Sequence, residues 1–184
     1  MHRGFGMALA LLVSVPVVAA SVPDGFGSAK LRMRVEDVRK AYPQLEPAPR
    51  VSSHAFFGHP SLARYVVMQT RLPELQEPVD IEFRFWDDRL WTILVYYGKN
   101  TTGSVTAYLT KLYGPAQGIG SNPAWVGPRS KVLVSTRAQW FSITDTDLAY
   151  DAQKAFMEMQ DTRPTPGGPT PRAADTPRPA MTPP

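Results

Sequence analysis

Residues 79–97 read VDIEFRFWDDRLWTILVYY, two alternating apolar sets around a polar knot at Asp87, Asp88 and Arg89. Val79, Ile81, Phe83 and Phe85 fall on one face of an extended chain, and Trp91, Ile93, Val95 and Tyr97 on one face of the next. A period of two marks half-buried strands, and in a hairpin both sets must share the core face. Pairing Phe85 with Trp91, Phe83 with Ile93, Ile81 with Val95 and Val79 with Tyr97 meets that condition. It requires an odd loop, most simply Asp87, Asp88 and Arg89, because a two-residue turn sets Phe85 opposite Leu90 and Phe83 opposite Thr92. Aspartate suits a turn, since its short side chain bonds nearby backbone.

This register leaves Arg84, Trp86, Leu90 and Tyr96 on the face opposite the core set, beside Glu82 and Asp80. Trp125 joins them from the proline-flanked segment PAWVGPRSKVLVS, residues 123–135. Arg84, Trp86, Leu90, Tyr96 and Trp125 form the expected partner surface, because arginine and aromatic side chains concentrate at protein interfaces. Helix packing on that side is the equal alternative.

Helical periods flank the strands. Val35, Val38, Ala41 and Tyr42 line one face of a helix over 34–42 that stops before Pro43. Val105, Tyr108, Leu109 and Leu112 do so over 104–113, with Ser104 as N-cap and Gly114-Pro115 as terminator. Leu148, Ala152, Ala155, Phe156 and Met159 line a third helix over 146–160, with Asp145 and Thr146 available as caps. Strands are expected at 64–71, 79–86, 90–97, 131–136 and 139–144. Adjacent hairpins rather than single strands alternating with helices predict an α+β fold. The expected architecture is an antiparallel sheet with helices on one face: a tandem α-β-β unit over 21–100 and 101–161, the latter with a closing helix.

The ends read differently. MHRGFGMALALLVSVPVVAA combines a basic start, an apolar run and a Val18-Ala19-Ala20 cleavage pattern, so residues 1–20 read as an export signal. The run falls short of the roughly 20 residues that span a bilayer, and no integral membrane segment is expected after signal removal; a signal left uncleaved as an N-terminal anchor is the alternative. A protein so routed is periplasmic or secreted. It contains no cysteine, so a packed core must supply its stability. Residues 162–184 hold eight prolines and a net charge of +2, the composition of a disordered tail. Residues 21–161 carry 16 basic and 15 acidic side chains. That balance argues against nucleic acid, which demands a concentrated basic face.

Chemistry finds little foothold. Paired carboxylates need a cleft that separates their pKa values, and adjacent aspartates at a hairpin tip lack one. His54 and His59, in HAFFGHP, have no third ligand nearby in sequence. Asp145, Asp147 and Asp151 in DTDLAYD lack the glycine and distal glutamate of a calcium loop, and helix capping explains them. Neither a nucleophile elbow nor a phosphate loop occurs. No catalytic residue, metal or cofactor is assigned. The alternative is an envelope hydrolase or carbohydrate-active protein using Asp87 and Asp88, or His54 and His59.

The words KLRMRVEDVRKAYP, FRFWDDRLWTILVYYG and LTKLYGPAQ, with AWVG and VLVSTRAQWFSITD, resemble those of small exported α+β modules of the BamE-like and β-lactamase-inhibitor-protein-like type. The resemblance covers about residues 26–156. In that type a word like L-G-M-S precedes a short helix, and a hairpin with an acidic or glycine-bearing tip follows. Arg32 stands here in place of the glycine and Arg34 in place of the serine, and the lipid-bearing cysteine of the BamE-like lipoproteins is missing. The resemblance implies a non-catalytic module of the bacterial cell envelope that binds or scaffolds another envelope or secreted protein. It carries over no catalytic residue.

Overall fold

The computed structural model describes residues 24–49, 59–72, 75, 77–118 and 122–161. The expected export signal, His54 and the proline-rich tail lie outside them. A short hairpin, β1 (Gly25–Phe26) and β2 (Ala29–Lys30), precedes α1 (Val35–Ala41). Then come β3 (Glu46–Pro47), β4 (Leu62–Thr70), β5 (Val79–Trp86) and β6 (Arg89–Tyr96). A 3-10 turn, Lys99–Thr101, leads into α2 (Thr102–Tyr113), followed by β7 (Ala124–Val126), β8 (Ser130–Ser135), β9 (Trp140–Asp145) and α3 (Thr146–Asp161).

Strands β3 to β9 form one sheet in the order β3-β4-β5-β6-β9-β8-β7, with all six neighbouring pairs antiparallel. The fold is α+β, as the hairpin pattern predicts. The last strand of the second meander, not its first, docks on β6, so Trp140 comes to lie opposite Tyr96 and Phe141 opposite Val95.

One face of this sheet builds the core. Val79, Ile81, Phe83, Phe85, Ile93, Val95, Val132, Val134, Phe141 and Ile143 are buried there with Val38 of α1 and Val105 and Leu109 of α2. Each such aliphatic or aromatic side chain contributes about 1.5–3 kcal/mol by leaving water. Helix α2 starts two residues before Ser104, and Thr101 rather than Ser104 occupies the N-cap. The Thr101 hydroxyl reaches Glu77 instead, at 2.9 Å from Oε2. Gly114, at φ 78°, ends the helix as expected. Helices α1 and α2 thus share the core face. Helix α3 turns back along the other: Thr146, Ala149, Tyr150 and Gln153 wall a groove of about 370 Å³ with Lys131, Leu133, Ser142 and Thr144.

The central hairpin corrects the expected three-residue loop. Phe83 opposes Ile93 and Ile81 opposes Val95, as the core parity demands, but Phe85 opposes Leu90 and Trp86 opposes Arg89. The turn is Asp87-Asp88 alone, with both residues in the left-handed region at φ 44° and 61°. Such a turn matches the right-handed twist of its strands. Parity is restored by a bulge that places Trp91 as an extra residue on β6 between the Phe85–Leu90 and Arg84–Thr92 pairs. Leu90 therefore enters the core with no exposed surface, and it is not part of any outer face. Trp125 is also corrected. It lies in β7 opposite Val132, only 2 % exposed, with its Nε1 donating to the Gly114 carbonyl at 2.8 Å. Prolines and glycine around three residues disguise this strand as a loop.

Candidate binding face

Alternation along the strands sends a second set of side chains away from the core, and the register aligns them in rows across the sheet. One row runs Arg64, Arg84, Thr92, Thr144, Lys131. The next runs Val66, Glu82, Leu94, Ser142, Leu133, and a third joins Asp80, Tyr96, Trp140 and Ser135.

Glu82 anchors this face. Its Oε1 accepts from Arg64 Nε at 2.6 Å and from Arg84 Nε at 2.7 Å, and its Oε2 from the Tyr96 hydroxyl at 3.1 Å. The carboxylate is only 5 % exposed, and the two guanidinium groups 14 % and 18 %. Burial alone would raise the Glu82 pKa, but the bonds and charges of Arg64 and Arg84 outweigh it and hold the carboxyl below its usual range. Burial, then the Glu82 charge, pushes the Tyr96 hydroxyl up, so it remains a donor at neutral pH. An ionised carboxylate held this way is a poor general acid and a weak base. Its physical role is to fix two arginines and a tyrosine in place on a sheet.

Around this cluster lies a groove of about 340 Å³. Arg84 enters it from β5, Trp91, Thr92, Leu94 and Tyr96 from β6, and Trp140, Ser142 and Thr144 from β9. The Thr92 and Thr144 hydroxyls are 2.7 Å apart, and Thr92 Oγ1 also lies 3.3 Å from the Ile143 carbonyl. Ser142 and Thr144 also line the groove beside α3.

Arg84 and Tyr96, of the five expected surface residues, lie on this groove. Trp86 is 6 % exposed and its ring stacks at 4.6 Å on His59; His59 Nδ1 accepts the Ser61 amide at 3.1 Å. Leu90 and Trp125 belong to the core. Trp91, Thr92, Trp140 and Thr144 are the residues that sequence reading missed. The bulge accounts for Trp91. The alternation of Trp140, Ser142 and Thr144 against Phe141 and Ile143 was visible, but the docking of β9 on β6 was not.

The two aspartates of the hairpin tip have separate duties. Asp88 Oδ2 accepts from Arg34 Nε at 2.7 Å and its Oδ1 from the Val35 amide at 3.2 Å, so it serves the first turn of α1 from across the fold. The Arg34 bond is the main reason its pKa lies below the ordinary value. Asp87 and Asp88 border a groove of about 500 Å³ with Glu36, Arg39 and Tyr65. Asp145 caps α3 through the Asp147 and Leu148 amides at 3.1 and 3.0 Å, while Arg32 holds its other oxygen at 2.6 Å. Among the described residues no three His, Asp or Glu side chains converge as a metal set, and no helix is long and apolar enough to cross a membrane.

No protein-family model, curated protein or solved structure matches this chain. The site's own geometry is therefore the ground for a functional reading.

Proposed function

We propose that this is an exported, non-catalytic binding or scaffolding protein of the bacterial cell envelope, and that the face carrying Glu82, Arg84, Tyr96, Trp91 and Trp140 meets its protein partner. The observation that carries this reading is the buried Glu82 cluster, which locks two arginines and a tyrosine on a sheet face flanked by tryptophans. Pre-positioned arginine and aromatic side chains are what protein hot spots use, since little rotamer freedom is lost on binding. The words shared with BamE-like and inhibitor-like modules point to the same class of role.

A hydrolytic or carbohydrate-active role for Asp87 and Asp88 is the second reading, favoured by the groove beside them. Against it, Asp88 is engaged by Arg34 and the Val35 amide. The test is affinity purification of tagged protein from envelope extracts, wild type beside Tyr96→Ala and Trp140→Ala. A partner retained by the wild type and lost from both folded variants supports the reading. Retention by both variants, or glycan hydrolysis abolished by Asp87→Asn, overturns it.

A further inference from the structure

We infer that the chain's own proline-rich C-terminal segment docks on the row Asp80, Tyr96 and Trp140 and covers the binding face until a partner displaces it. This regulates the site proposed above and rests on that reading. The register sets Asp80 opposite Tyr96 and Tyr96 opposite Trp140, so a carboxylate, a phenol and an indole follow one another across β5, β6 and β9. All three are half-buried, and Tyr96 and Trp140 line the groove of about 340 Å³. Glu82, the other acid on this part of the face, is taken up by Arg64, Arg84 and Tyr96. Asp80 holds only the Gln69 amide and side-chain nitrogen, both on Oδ1, among its hydrogen bonds to described residues.

Aromatic-lined grooves take polyproline segments, which lose little freedom on docking because each proline fixes its own φ. The chain carries such a segment within reach. Helix α3 packs against β6 and β9, and residues 162–184 follow its last residue, Asp161. Residues 163–172 read RPTPGGPTPR, the same in both directions, with an arginine outside each Pro-Thr-Pro arm. At the usual strand spacing the row from Asp80 to Trp140 spans roughly 10 Å. Three steps of polyproline rise, Arg163 to Pro166, span roughly 9 Å. Laid along the row, this arm brings Arg163 to the Asp80 carboxylate, Pro164 to the Tyr96 ring and Pro166 to the Trp140 ring. The arm Pro169 to Arg172 makes the same match in the opposite chain direction. Covalent attachment gives the segment an effective concentration of about millimolar, so a weak contact suffices to cover the face.

The test uses the full chain, which has no cysteine, with a nitroxide attached through Gly168→Cys and the tryptophans labelled with nitrogen-15. The Trp140 indole signal is expected to lose at least half its intensity to the nitroxide. It should recover when Pro164, Pro166, Pro169 and Pro171 are all replaced by Ser, and partly in Asp80→Asn, which keeps an acceptor for Gln69; thermal melting checks each variant. The four-serine chain should also capture several-fold more partner from envelope extract, because the covered fraction no longer taxes binding. A Trp140 signal untouched by the nitroxide, or lost equally in the four-serine chain, overturns the inference, and so does equal partner capture. Loss that arises only between a spin-labelled chain and a separate nitrogen-15 chain assigns the tail of a second copy and also overturns it. If Trp140 is untouched while folded Trp140→Ala still loses its partner, the tail inference fails and the binding reading stands. If the tail docks while folded Tyr96→Ala and Trp140→Ala keep the partner, the binding reading is the one that fails.

Discussion

Asp88, at the tip of the central hairpin, completes the first turn of α1: its carboxylate holds the Val35 amide at 3.2 Å and the Arg34 guanidinium at 2.7 Å. Backbone bonds between Arg32 or Met33 and Leu90 bring the two together, with Arg32 N to Leu90 O at 2.7 Å and Leu90 N to Met33 O at 2.8 Å. Arg32 itself sits in the left-handed region at φ 70°, a conformation that glycine adopts at no steric cost.

The two aspartates should therefore separate on mutation. Asp87→Asn is expected to leave stability unchanged or slightly raised, because asparagine tolerates the left-handed turn at least as well. Asp88→Ala removes a cap and sets alanine at a left-handed position, φ 61°, so it should cost about 1–3 kcal/mol, the solvent-exposed ion pair itself adding little. Thermal melting of the two single variants decides it; equal losses would show that both act only as turn residues.

Deleting Trp91 tests the bulge. With a two-residue turn, removing the extra residue leaves Phe85 opposite Leu90 and Arg84 opposite Thr92, so the core parity survives. The deleted protein should unfold cooperatively at a lower temperature and keep its cross-strand Phe83–Ile93 proximity by NMR. A three-residue loop without a bulge would instead throw Ile93 and Val95 off the core face, with loss of the fold.

Glu82→Ala leaves two arginines side by side with their shared carboxylate gone, and should cost about 3 kcal/mol or more. Tyr96→Phe removes one bond to the same carboxylate and should cost about 1 kcal/mol. Urea unfolding at neutral pH measures both. A Glu82→Ala loss below that of Tyr96→Phe would mean that the cluster does not organise this face.

Acid should destabilise the fold through three carboxylates. Arg64 and Arg84 hold Glu82 down against its burial, Arg32 and backbone amides do the same for Asp145, and Arg34 lowers Asp88. Because each folded pKa is depressed, the stabilisation is present above the ordinary carboxylate pKa of about 4 and is lost as pH falls through the lower folded values. Melting temperature should be flat from about pH 5 to 8 and drop below 4. Asp145→Asn should lower the plateau and shallow the acid limb. A limb of unchanged depth would place the proton uptake elsewhere.

Most of the secondary structure was legible because it obeys local periods: Val79 to Phe85 at period two, Val35 to Tyr42 and Leu148 to Met159 at the helical period. Local rules also locate the turn at Asp87 and Asp88. They fail one residue later, because two compensating irregularities, a tight turn and a bulge at Trp91, give the same core parity as one longer loop. That exchange moved Leu90 inward and Trp91 outward. The site was half legible. Arg84 and Tyr96 follow from alternation in one hairpin, whereas Trp140 and Thr144 arrive by the docking of β9 on β6, a pairing between residues 44 to 52 positions apart that no local pattern encodes. Trp125 was misplaced because three residues between proline and glycine are too few to show a period.

The most direct test of the proposed binding face is photo-crosslinking in the envelope, where the protein is proposed to act. A benzoylphenylalanine at Trp140, on the groove, should yield a discrete adduct with one protein, while the same probe at Leu112, exposed on α2, should yield none. Adducts from Leu112 with none from Trp140 would contradict the account.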